Sequence, residues 1–207
     1  IAGSVQSPGV FLNASAVLER QLTAYTLDGW VKAKGKSARI PREIREVLKA
    51  VSNQTMDRFP YLWLTFVEQN RAALLEGFVQ LFNGGQREVL NKESQQWLSR
   101  FVQGDVQASS PLVYKIVNRL QELANDVDSI KRKREAAVKE IAKLEELEVR
   151  GEEQEEELQR LQQDKMALTR LVASIEGKAT LNVLTDEGLL PNYAFPEQGV
   201  LLRSLIV

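Results

Sequence analysis

From Pro111 onward, apolar side chains recur in alternating steps of three and four: Val113, Ile116, Leu120, Leu123, Val127, Ile130, Ala137, Ile141 and Leu144, with only Arg134 out of character. That spacing gathers them into one seam of a long α-helix, which needs a second helix to cover it. After Gly151 and an acidic run, Leu158, Leu161, Leu168, Val172 and Ile175 resume the same pattern. Two antiparallel helices reversing at Gly151 satisfy it within one chain. A continuous helix through Gly151 costs only about 1 kcal/mol for the glycine, so a long dimeric coiled coil satisfies it too. The hairpin is the more economical expectation. At 1.5 Å per residue, its outgoing helix is roughly 60 Å long and its return about 40 Å, and such an arm must project from a body.

The preceding residues supply that body. The spacing predicts a helix over residues 14–31 through Val17, Leu18, Leu22, Tyr25 and Leu27, capped by Asn13 or Ser15. A basic, glycine-containing loop over residues 32–39 follows, and Pro41 suits the first position of a helix carrying Ile44, Val47, Leu48 and Val51. Pro60 opens a further helix whose broad apolar face, Leu62 to Phe82, ends at Gly84-Gly85. A short helix bearing Trp97, Leu98, Phe101 and Val102 stops at Gly104. The expected fold is mainly α, in three parts: a compact helical domain over residues 1–110, a protruding antiparallel coiled-coil hairpin over 111–177, and a short irregular or β tail over 178–207. Pro191 and Pro196 exclude a helix in the tail, and residues 200–207 are β-prone. The chain opens on Ile1 with no secretory pattern, as expected of a piece of something longer, and the tail would lead into a following domain. No run of eighteen apolar residues occurs, so no membrane span and a cytoplasmic location are expected.

The composition removes several chemistries. The 207 residues include no cysteine and no histidine, which excludes a thiolate nucleophile, a Ser-His-Asp triad, a zinc site of the usual soft ligands and any disulfide. No glycine cluster fits G-x-x-x-x-G-K-[ST], so no ATP-binding loop of that type is present. Asp186-Glu187 could form an acidic pair for hydrolysis, although it reads more simply as part of a turn. The run from Glu152 to Glu157 could attract a divalent cation, or could be a solvated first turn at the positive end of a helix dipole.

The cations carry more information. Lys131, Arg132, Lys133 and Arg134 are consecutive, so on a helix they cover every direction and cannot all be matched by acids one turn away. In a hairpin turning at Gly151, Lys133 comes opposite Thr169 and Arg170. With the loop residues Lys32, Lys34, Lys36 and Arg39, these form a candidate phosphate-binding set, weighed against an ordinary solvated surface. Trp30, Tyr61, Trp63 and Trp97 could stack nucleobases if exposed, but their apolar spacing suits packing.

Two stretches resemble a known family. The string Thr185-Asp-Glu-Gly-Leu-Leu-Pro-Asn-Tyr-Ala-Phe-Pro-Glu-Gln-Gly-Val-Leu-Leu-Arg-Ser-Leu-Ile206 is similar to a segment of the very large bacterial DEAD/DEAH-box superfamily 2 helicases, including phage-defence types. The stretch Phe11-Leu-Asn-Ala-Ser-Ala-Val-Leu-Glu-Arg-Gln-Leu-Thr-Ala-Tyr-Thr-Leu-Asp-Gly-Trp30 resembles another part of the same proteins, also outside the motor. The resemblance implies an accessory, non-catalytic region of an ATP-dependent DNA helicase or translocase. ATP and Mg would belong to the parent motor, and this segment would carry no cofactor. The implied partners are nucleic acid, most naturally DNA, and the motor domains in cis. The alternative expectation is a structural module joining proteins, or two copies of itself, through the coiled coil.

Overall fold

The computed structural model describes residues 8–86, 89–105 and 107–192. Among them the chain is mainly helical, with eight α-helices, one 3-10 turn and no strand. The first helix, α1 (Pro8–Lys34), is the axis of the body. Leu22, Ala24, Leu27 and Trp30 are buried on it together with Thr23, Thr26 and Asp28, because α3 (Tyr61–Gln69), α4 (Arg71–Asn83) and α5 (Lys92–Val102) pack around it. The buried threonines are bonded within the layer: Trp63 Nε1 donates to Thr26 Oγ1 at 3.1 Å, Thr26 donates in turn to the Thr23 carbonyl, and Thr23 Oγ1 donates to the Glu19 carbonyl. Stacked Phe59 and Trp63 rings and the edge-on Tyr25–Phe78 pair complete the contact.

The helix ends differ from the sequence pattern in four places. The first helix begins at Pro8, so Asn13 and Ser15, expected to cap a start at residue 14, lie within it. The first helix continues through Lys32 and Lys34, which were expected in a loop. Lys32 reaches back one turn to Asp28 at 2.6 Å, and both lysines sit where a helix dipole favours cations. Only Gly35, at φ +52°, stops the helix, and the 3-10 turn Gly35–Ser37 follows. Pro41 does not start a helix, because residues 41–44 are occupied in pairing with 178–180, and α2 (Ile44–Ser52) begins at the last residue of that pairing, with Glu43 as its N-cap. The helix opened by Pro60 breaks at Asn70 into α3 and α4. There Asn70 Nδ2 caps the Phe66 carbonyl, and the Arg71 guanidinium binds Glu68 and the carbonyls of Gln103, Asp105 and Ala108.

The long seam forms α6 (Pro111–Glu145) and α7 (Glu152–Glu176), which at 1.5 Å per residue extend about 52 and 38 Å. They pack against each other, with α7 running back along α6 so that its last residue, Glu176, meets Lys131. Leu112, Val113, Ile116, Leu120, Ala124 and Val127 belong to the same core as the body helices, so that core runs across position 110. Beyond it, Ala137, Ile141 and Leu158 are buried outside the main cluster. The reversal spans residues 146–151 rather than one glycine. Arg150 donates to the Leu144 carbonyl and to Glu155, and Gly151 is the N-cap of α7 at φ −77°, its N–H bonded to Gln154 Oε1.

Part of the expected tail is ordered helix. Residues 180–186 form α8 (Thr180–Asp186), whose Val183 and Leu184 enter the core along with Leu189 and Leu190. The β-prone residues 200–207 lie outside the described residues.

Candidate nucleic-acid interface

The nine cations singled out by sequence fall into two groups. Lys32 and Lys34 stand at the end of α1, and Lys36 and Arg39 in the connection to α2, all four exposed. Lys131, Arg132, Lys133 and Arg134 lie midway along α6, and Arg170 is exposed on α7. Successive helical residues turn about 100° around the axis, so the run on α6 points four ways. Arg132 and Lys133 are exposed, whereas Arg134 occupies the half-buried seam position between Ile130 and Ala137.

Two of the nine are committed elsewhere. Lys32 holds Asp28, a carboxylate only 3% exposed whose second oxygen, Oδ1, has no hydrogen-bond partner. The hydrogen bond that Lys32 donates to Asp28 raises its ammonium above the ordinary value. Moving Lys32 to an external phosphate would strand a buried charge. Lys131 is held by Glu176 Oε1 at 2.5 Å, and the other oxygen of Glu176 takes Arg45 Nε at 3.2 Å. Among the described residues, Lys34, Lys36, Arg39, Arg132, Lys133, Arg134 and Arg170 form no ion pair.

The two groups are linked at the root of α7. Ile44 N–H donates to the Lys178 carbonyl, Thr180 N–H to the Arg42 carbonyl, and Thr180 Oγ1 to the Pro41 carbonyl at 2.5 Å. Just inside this bridge lies the mostly buried Glu176 with its cations from α2 and α6. Glu176, Arg45, Arg42 and Lys178 were not singled out from the sequence. Glu176 did leave a signal, because it continues the apolar seam four residues after Val172, where a carboxylate is tolerated only with partners. Arg42, Arg45 and Lys178 left none, since nothing local shows that they meet.

The other candidates have structural employment. Trp30 and Trp63 are fully buried and unavailable for stacking, and Trp97 is half-buried with Nε1 donating to Glu19. Tyr61 is half-buried over the Val51 carbonyl, and burial lifts its hydroxyl above the ordinary phenol value. Asp186 ends α8, while Glu187 pairs with Arg119 Nε at 3.1 Å. The acids from Glu152 onward form the first turn of α7, and among the described residues no group of three or more His, Cys, Asp or Glu is placed to hold a metal ion. No helix among the described residues is long and apolar enough to cross a membrane. No family model, curated protein or solved structure matches this chain.

Proposed function

We propose that this chain is an accessory, non-catalytic module of an ATP-dependent DNA helicase or translocase, guiding nucleic acid by gripping its phosphate backbone. The motor domains, with their ATP and Mg, lie elsewhere in the parent protein and supply the energy. In this reading α6 and α7 form a protruding antiparallel coiled-coil hairpin, and the tail leads into a following domain. The reading is carried by seven exposed or half-buried cations, Lys34, Lys36, Arg39, Arg132, Lys133, Arg134 and Arg170, that have no internal counter-charge among the described residues. Such groups suit charge-assisted contacts with phosphate that carry no sequence preference. The helicase assignment rests on the two resembling stretches alone.

Fluorescence anisotropy of a labelled single strand and a labelled duplex at low salt tests it. Binding should be sequence-independent and weaken steeply with salt, the slope falling by about 0.9 for each duplex phosphate contact removed. A chain that binds neither probe at low salt overturns the reading.

A second reading, a coiled-coil module for self-association or protein docking, draws support from Val138, Met166 and Leu171, which expose 41%, 53% and 46% of their surface on the paired helices. Light scattering across concentration separates the two. Self-association predicts a particle that grows with concentration and is abolished by Leu168→Pro in the seam.

A further inference from the structure

The charge of this molecule is polarised along the α6–α7 pair, although the whole chain sums to −1. Residues 135–172, the outer part of the pair, carry eleven acids against six cations. Residues 30–50, at its root, carry seven cations against two acids, and the bridge at Glu43 and Ala179 adds Lys178. A polyanion is therefore attracted to the root and repelled toward the tip.

The root also has shape. A groove of about 260 Å³ runs between α2 and the middle of α6, with Arg45, Lys49 and Ser52 on one wall, Asp128 and Lys131 on the other, and Glu176 beside them. Glu176 takes up Arg45 and Lys131, and Arg45 also lies 3.9 Å from Glu43. Arg42, Lys49 and Lys178 remain exposed and without an ion pair among the described residues. Pairing of residues 42 and 44 with 180 and 178 brings Arg42 and Lys178, distant in sequence, to one spot.

We propose that the nucleic-acid backbone is held chiefly at this root, by Arg42, Lys49 and Lys178 beside the Arg45–Glu176–Lys131 cluster, with the cations halfway along the paired helices making weaker contacts. The proposal rests on the nucleic-acid reading above and relocates its site. In it the α6–α7 tip points away from the nucleic acid, and Lys34, Lys36 and Arg39 continue the same basic surface.

The test compares two triple variants of the full chain, Arg42→Ala/Lys49→Ala/Lys178→Ala at the root and Arg132→Ala/Lys133→Ala/Arg170→Ala on the helices. All six side chains are exposed and free of ion pairs among the described residues, and circular dichroism verifies that both variants fold. With labelled duplex at low salt, the root variant should lose roughly tenfold or more in affinity, with a salt slope reduced by about 0.9 per lost contact. The helix variant, whose cations contribute weaker contacts, should lose clearly less affinity than the root variant. Should the root triple fold poorly, the single reversal Lys178→Glu must still weaken binding more than Arg170→Glu. An equal loss in both triples, or a larger loss in the helix triple, overturns the placement while leaving the nucleic-acid reading intact. Absence of binding by the unaltered chain overturns both.

Discussion

Residues packed around α1 and residues along the outer α6–α7 pair follow the same apolar periodicity but are buried by different means. In the body each core side chain meets several helices: Trp63 is fully buried against Phe59 and also bonds Thr26. In the outer pair the few buried residues, Ala137, Ile141 and Leu158, lie apart from the main core, and most of their neighbours are exposed. A multilayer core draws stability from many contacts per residue, whereas a two-helix layer has one partner surface and leans on its root. The root is accordingly where polar bonds concentrate.

The largest effect should come from Trp63→Ala, which removes a fully buried indole and the hydrogen bond it donates to Thr26, costing about 3–5 kcal/mol in chemical denaturation. Leu158→Ala on the pair should cost about 2 kcal/mol or less, the low end for a buried leucine, because a two-helix layer relaxes easily. Equal costs would break the comparison. Next comes Glu176→Ala, which leaves Arg45 and Lys131 facing each other without their carboxylate. Removing one partner of a buried pair costs about 3–5 kcal/mol. Because Arg45 and Lys131 retain 56% and 37% exposure, about 2 kcal/mol is expected here. Hydrogen exchange should quicken at the end of α7 and in residues 41–44 while α1 stays protected.

A smaller change sharpens the comparison by its sign. As the N-cap of α7, Gly151 is better than alanine there, so Gly151→Ala should lower stability by about 0.5 kcal/mol. In a continuous helix the same substitution would raise it by about 1 kcal/mol. Thermal melts read the difference directly.

The smallest effect belongs to the body alone and appears at alkaline pH. Because Lys32 has a raised value when folded, its pairing with Asp28 contributes fully below about pH 10.4 and is lost as pH rises through the raised value. Burial opposes ionisation of Tyr61, so folding is penalised once the unfolded tyrosine begins to lose its proton near pH 10. Melting temperature should decline above about pH 10, and less so in Lys32→Ala/Tyr61→Phe. An unchanged alkaline decline in that variant would place its source elsewhere.

The seam from Val113 to Ile175 was legible because helical periodicity is a property of neighbours in sequence, and it led to two long helices with their ends close to those expected. Burial of Trp30 and Trp63 followed from the same spacing. The break at Asn70 was not legible, because its cause is the reach of Arg71 to carbonyls some thirty residues away. Nor was the short helix α8, whose Val183 and Leu184 are stabilised by a core assembled from the rest of the chain.

By itself, the sequence determined the helical class, the long seam, the chemistry denied by a chain without cysteine or histidine, and the polarity of charge between residues 30–50 and 135–172. Only the tertiary structure decided which cations stay available. Lys131 loses its freedom to Glu176, and Arg42 gains Lys178 as a neighbour, through contacts made after the chain has folded back. Lys32 is held instead by Asp28 one turn earlier on the same helix, a pair made costly to break by the burial of Asp28. The physical reason is that hydrophobic spacing acts along one helix, whereas the fate of a charge depends on which distant group is carried to within about 4 Å of it.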